Sequence, residues 1–253
     1  MDGLNKSRQP VIIWAILGLC IVIAGGVLFV SSGFGYKDHL WSLPFALHLL
    51  LTGSVISGVG VLVSLIAFIK RGTWDYIFSL SGMLLGMIVI GVFLHFFLST
   101  RKAPPIHDIT TDTLNPPKFS TVLTLRKRSL NSCTYGGKTV AVEQKKAYPY
   151  IKPLILEVSF ENAFDKALAV ARKMENWKIV NSNAAAGRIE ATVTVPWFGF
   201  KDDVVVRVSS VDAGRTRIDV RSESRTASDD FGINAQRIHA YLALVKKANE
   251  KER

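Results

Sequence analysis

Hydrophobic positions along the chain follow two regimes that meet near residue 102. Before that point they show no useful period: residues 9–36, 39–69 and 76–100 form three stretches without a single charged side chain. A bilayer core of about 30 Å needs roughly 20 apolar residues in a helix, because in lipid every backbone amide must be satisfied within its own segment. The three stretches therefore predict membrane helices over 11–30, 45–69 and 76–98. Beyond residue 158 the periods become legible. Phe160, Ala163, Phe164, Ala167, Ala171 and Met174 recur at helical spacing, with Ser159 as N-cap and Glu161 in the first turn. Residues 177–182 read as a short strand. Ile189, Ala191, Val193 and Val195 then alternate with Arg188, Glu190, Thr192 and Thr194; Val204, Val206 and Val208 alternate with Asp203, Val205 and Arg207; Ile218 and Val220 alternate with Arg217, Asp219 and Arg221. Period-two alternation across short turns predicts an antiparallel meander with one buried face. A last helix over 231–248 carries Ile238, Tyr241, Leu242 and Val245 on one stripe.

The predicted architecture is thus three transmembrane α-helices plus an α+β soluble domain, a four-stranded antiparallel sheet with two helices packed on one face. The transmembrane region covers 1–102, the domain 103–248 and a charged tail 249–253. The leading segment 103–158 is rich in proline and glycine, as in Ala103-Pro104-Pro105, Asn115-Pro116-Pro117 and Tyr135-Gly136-Gly137. Those residues signal loops. Its many apolar residues predict that it drapes over the domain, with one strand near 140–142.

Charge sharpens the division. Residues 1–102 hold 7 Lys/Arg and 3 Asp/Glu, residues 103–253 hold 24 and 17, so the net +11 splits into +4 and +7. A single soluble globule, a disulfide scaffold and a disordered chain are excluded. The first apolar run is too long for a signal core and ends on a poor cleavage site at Val30-Ser31-Ser32-Gly33, so it is expected to be a retained anchor. Lys6, Arg8, Lys70 and Arg71 flank the same side, against only Lys37 beside Asp38 in the first loop. The positive-inside rule then predicts a multi-pass protein of a bacterial inner membrane, amino terminus cytoplasmic and carboxy-terminal domain periplasmic, although Arg101 and Lys102 argue the other way. Small-xxx-small pairs at Gly82/Gly86, Ser54/Gly58 and Gly60/Ser64 predict packing of the second helix on the third, with a dimer seam as the alternative. His48 and His95 lie close to helix ends, where an interfacial position explains them.

Separated strings in the soluble half carry a resemblance. They are His107-Asp108-Ile109-Thr110-Thr111-Asp112, Pro116-Pro117, Tyr148-Pro149, Pro196-Trp197-Phe198-Gly199-Phe200-Lys201-Asp202-Asp203, and Arg221-Ser222-Glu223-Ser224-Arg225 followed by Asp229, Gly232, Asn234, Arg237 and Ile238. Over about 103–248 the chain resembles the family catalogued as domain of unknown function 1499. The resemblance implies a bacterial, envelope-associated α+β domain, often behind membrane helices, with no assigned activity and no catalytic residue to carry over.

Candidate chemistry is sparse. His107, Asp108 and Asp112 have the residue types of a metal site but no standard ligand spacing, so turn-locking and ligand binding both remain open and no metal is assigned. Arg188, Arg207, Arg217 and Arg221, with Glu190 and Asp219, should share the sheet face opposite the helices. There they either solvate it as cross-strand pairs or, with the groove where 103–158 crosses, hold an anion. Arg221, Arg225 and Arg237 approach the start of the last helix, where Asp229 and Asp230 already read as caps. Trp197, Phe198 and Phe200 mark a loop that either packs, dips into a membrane interface or clasps a ligand. Asp202 and Asp203 should point to opposite faces, which makes a weak acid/base dyad. Cys20 and Cys133 cannot pair with each other. No nucleotide, hydrolase-elbow or zinc motif is present, so no cofactor is expected.

Three functional readings follow. The first is an inner-membrane protein whose periplasmic domain binds an anionic envelope component, a lipid headgroup or glycan, without catalysis. The second is an envelope hydrolase using Asp108, Asp112, Asp202 or Asp203. The third is a membrane scaffold for a partner protein or a second copy. The lipid bilayer is the expected surrounding of the helices, and nucleic acid is not an expected partner.

Overall fold

The computed structural model describes residues 9–70, 73–102, 104–127, 129–226 and 230–251. Lys6, Arg8, Arg71 and Asp229, used above for orientation and capping, lie outside the described residues. The chain forms two compact units, residues 1–99 with Trp197–Gly199 in one and the rest in the other.

The first unit holds α1 (Gln9–Lys37), α2 (Leu43–Lys70) and α3 (Thr73–Lys102). All three are long and apolar enough to cross a membrane. α1 and α3 run several residues past the predicted 11–30 and 76–98, and α2 exceeds 45–69 by two residues at its start and one at its end. Ala15, Gly18, Val22, Gly25, Phe29 and Ser32 are buried on α1, and Ala46, Gly53, Ser57, Gly60, Ser64 and Ala67 on α2. Both sets step by three and four, the spacing of a two-helix seam. A Cβ on Gly53 would sit 2.6 Å from the Gly25 carbonyl oxygen, and one on Gly60 2.7 Å from the Val22 amide. The tightest seam therefore joins α1 to α2. Gly82 and Gly86 also face α2, at Ser64 and Val61, whereas Gly58 has only the tip of Ile90 nearby at 4.0 Å.

The second unit is an α+β domain. Its sheet has six strands, not four: β1 (Asp108–Thr110), β2 (Leu154–Leu156), β3 (Trp177–Asn183), β4 (Arg188–Thr194), β5 (Lys201–Ser210) and β6 (Thr216–Ser224). The order is β1-β6-β5-β4-β3, with β2 also on β6, and every pairing is antiparallel. The meander β3 to β6 is the predicted one. The two added strands are three-residue pieces of the leading segment, too short to show alternation; β1 pairs with the end of β6 and β2 with its start.

Helices α5 (Phe160–Lys173) and α6 (Ile233–Glu250) cover one face of the sheet as expected. The Ser159 hydroxyl caps α5 by accepting from the Asn162 amide at 3.4 Å. Buried Tyr241 stacks on Trp177 and donates to the Ala167 carbonyl, tying α6 to α5. Residues 140–142 are not a strand; they belong to α4 (Gly137–Ala147). Its buried Gln144 accepts from the Thr110 amide at 2.9 Å and donates to the Thr110 carbonyl at 2.7 Å. The side-chain amide thus stands where another strand would add, and closes the free edge of β1.

The other face of the sheet is covered as well. Residues 111–127 and 129–135 cross it as a strap with a 3-10 turn at Thr121–Leu125. Phe119 and Val122 press on Val205, with Cys133 and Val180 at the margin, in a small second core. The expectation of a solvated outer face is corrected here: Glu190, Asp203, Asp219 and Glu223 on it are fully buried.

A basic groove beside a buried charge lattice

Strand register decides which polar side chains meet. Directly opposite residues share a face, so Arg188, Arg207 and Asp219 form one row beneath the strap, and Thr192, Asp203 and Glu223 another, with Asp108 paired to Glu223 at the end. Most of the residues that the sequence singled out as ligand candidates are committed within this lattice. Asp108 takes two hydrogen bonds from Arg221, which also donates to the Pro117 and Cys133 carbonyls and lies 4.8 Å from the Phe119 ring centre. Asp203 accepts from Arg126, Arg225 and Thr192. Arg126 and Glu223 are joined at 2.9 Å.

Asp112 accepts from the Leu114 and Asn115 amides and from Arg207 and Arg217. Burial works to raise its pKa, but the Asn115 amide and Arg207 outweigh that and hold it below the usual carboxylate range. One of its oxygens closes a local turn on the Leu114 and Asn115 amides, and the other is shared by Arg207 and Arg217. Asp202 lies on the helix side and pairs with Arg237 at 2.6 Å, while Asp203 faces the strap. The two carboxylates do point to opposite faces. Arg237 sits on α6, whereas Arg225 is drawn to Asp203, so the three arginines do not gather at the α6 start. That helix start is occupied by Asp230, which accepts from the Gly232 and Asn234 amides. His107 contributes its carbonyl, accepting from Ser224 and Asn234. His107, Asp108 and Asp112 are therefore not brought to one cleft, and among the described residues no group of three His, Cys, Asp or Glu is placed to hold a metal ion. Trp197 counts with the helical unit. Cys20 and Cys133 are both free thiols.

Glu223 was not singled out by sequence reasoning. Its Oε2 is buried without a hydrogen-bond partner, and burial, reinforced by Asp108, pushes its pKa up to about 8 against the pull of Arg126 and Arg221. Burial likewise raises the neighbouring Cys133 thiol, and lifts Tyr135 to about 12.

One part of this face is open. Asn115, Pro116, Pro117 and Lys118 of the strap, with Ala186, Arg188, Val205 and Arg207 of the sheet, line a groove of about 220 Å³. Its geometry comes from a tight turn: the Asn183 side chain accepts from the Ala186 amide, and Gly187, at φ +58°, immediately precedes β4 with its carbonyl accepting from the Val208 amide at 2.7 Å. A Cβ at Gly187 would run into the Val208 carbonyl oxygen, which explains glycine there. The next residue, Arg188, stands across from Arg207. Like charges directly opposite on neighbouring strands are unfavourable. Arg207 is neutralised by Asp112 and Asp219 and donates to the Asn115 carbonyl. Arg188 forms no ion pair among the described residues, and its Nε is buried without a partner. In the sequence Arg188 is one of several face charges and Lys118 carries no signal, because their convergence depends on where the strap crosses.

Comparison with known proteins agrees with the resemblance seen in the motifs. No curated protein matches the chain. The family model described as "Protein of unknown function (DUF1499)" matches residues 108–245, from the first residue of β1 into α6 and so through the whole sheet, and the chain belongs to that family.

Proposed function

We propose that this is a membrane-anchored binding protein of the bacterial inner membrane whose domain, on the periplasmic side, holds an anionic envelope component in the Arg188 groove and performs no chemistry on it. The observation that carries this reading is Arg188 itself. An arginine without a counter-ion among the described residues, lining an open groove and set opposite a second arginine, leaves its guanidinium available to an anionic acceptor. The periplasmic side is inferred from Lys6, Arg8, Lys70 and Arg71 against the nearly uncharged first loop. The hydrolase reading loses support because Asp108, Asp112, Asp202 and Asp203 are all held in ion pairs.

Native mass spectrometry of the full chain, extracted in a mild detergent, tests this. The expected result is a retained anionic mass in the wild type that is lost in Arg188→Met. A bare wild-type mass, or a ligand held equally by the variant, would overturn it.

A further inference from the structure

Resting on that reading, we infer that the groove receives a phosphoryl group carrying two negative charges, the terminal phosphate of a monoester. Charge balance is the first argument. Arg207 and Arg217 share Asp112 and Asp219, two cations on two carboxylates, and this quartet is closed. The Glu190 carboxylate lies on the same face two residues from Arg188, but it accepts from the Ser120 and Thr121 amides and does not line the groove. What remains on the wall is Arg188 and Lys118, two positive charges with no acidic lining residue. Glu190 keeps its negative charge beyond the wall, since neutral amides do not cancel it, yet the lining itself carries two positive charges, which a doubly charged phosphoryl group meets more fully than a carboxylate does.

Geometry gives the second argument. Arg188 offers a planar fork suited to two oxygens of one phosphoryl group, and Lys118 adds a point charge from the opposite, strap wall. The strap is pinned on both sides of Lys118, by the Pro117 carbonyl on Arg221 and by Phe119 against Val205. The backbone carrying the lysine is thereby held in place. Size is the third argument. At about 220 Å³ the groove falls below the roughly 300 Å³ at which pockets for drug-sized ligands begin. It suits one small headgroup, with Pro116, Pro117 and Val205 as an apolar wall for the ester carbon. A soluble phosphate ester and the headgroup of a phospholipid present the same chemistry.

Calorimetric titration of the full chain in phosphatidylcholine nanodiscs, at constant ionic strength and pH 7.5, separates the outcomes. The probes are glycerol 3-phosphate, mostly a dianion there because the second pKa of a phosphate monoester is about 6, and acetate. We expect glycerol 3-phosphate to bind at least tenfold more tightly than acetate. Arg188→Met should weaken it at least tenfold, and Arg215→Met, in an exposed pair with Asp212 away from the groove, should leave it unchanged. Adding phosphatidic acid to the disc distinguishes the sources: competition with glycerol 3-phosphate assigns a lipid headgroup, and no competition assigns a soluble ester. If acetate binds as well as the phosphate and both are lost in Arg188→Met, the phosphoryl assignment falls while the anion-binding reading stands. If Arg188→Met changes neither, this inference is overturned, and the mass measurement above judges the wider reading separately.

Discussion

Arg221 and Asp108 meet through two parallel hydrogen bonds, Nε to Oδ1 at 2.9 Å and Nη2 to Oδ2 at 2.7 Å, with their side chains 4% and 6% exposed. The pair joins the long strand β6 to a strand of three residues that backbone hydrogen bonding alone would hold weakly. It also places the guanidinium where the strap can fold over it, on Phe119 and the Pro117 carbonyl.

Breaking one partner of such a pair strands a buried charge, which costs about 3–5 kcal/mol. Asp108→Asn should therefore lower the unfolding stability of the domain by about that much. The double variant Asp108→Leu with Arg221→Met, which removes both charges of the pair, should recover part of the loss, the Pro117 and Cys133 carbonyls having lost their donor. Urea denaturation of the full chain in detergent, followed by tryptophan fluorescence, reads both. Equal losses in single and double variants would count against this account.

Glu223 makes stability depend on pH. Its pKa rises from an ordinary 4.5 in the unfolded chain to about 8 in the fold. Between those values the folded protein keeps a proton that the unfolded chain has released. Stability therefore falls as pH rises through this window, by about 1.4 kcal/mol for each unit of difference at most. Glu223→Gln keeps the neutral shape and should flatten the slope between pH 5 and 8. Denaturation midpoints measured across that range check it; an unchanged slope in the variant would refute the assignment.

Gly187→Ala should destabilise the domain by about 2 kcal/mol, the scale of a strained left-handed residue, because φ is +58° and the new Cβ meets the Val208 carbonyl. The same change shifts Arg188, so ligand retention should fall along with the thermal midpoint. A variant with wild-type stability would show that the turn relaxes freely.

In the helical unit, Gly60→Leu should separate α1 from α2, since even one Cβ would come within 2.7 Å of the Val22 amide. Gly58→Leu, one turn face away with only Ile90 nearby, is the matched control. Thermal stability in detergent should drop for the first and hold for the second. Equal effects would place the seam elsewhere.

Legibility in the sequence followed the range of the forces involved. The meander and its faces were readable, because alternation over seven to ten residues records burial directly, and Ile189, Val204, Val206 and Ile218 lie where it put them. The caps at Ser159 and Asp230 were readable, because a side chain and an amide a few residues apart meet by local geometry. β1 and β2 were not, since three residues carry no period. Residues 140–142 misled, because a Val-Ala-Val core looks like a strand until Gln144 is seen to bind the β1 edge. Arg126 lies inside a basic run with nothing in the sequence to set it apart; it is buried on Asp203 and Glu223.

By itself, then, the sequence determined that three apolar helices precede a charged α+β domain, since length without charge and strict alternation are properties of contiguous chain. It determined the family as well, through separated strings whose order is kept. Only the tertiary structure decided which charges are spent and which are left. Arg207 and Arg188 are indistinguishable as letters on neighbouring strands. They part company because residues 111–117, brought across the sheet from beyond the strand meander, carry an aspartate to Arg207 and none to Arg188. Electrostatic pairing acts within a few ångströms in space, and that distance is set by the fold of the strap.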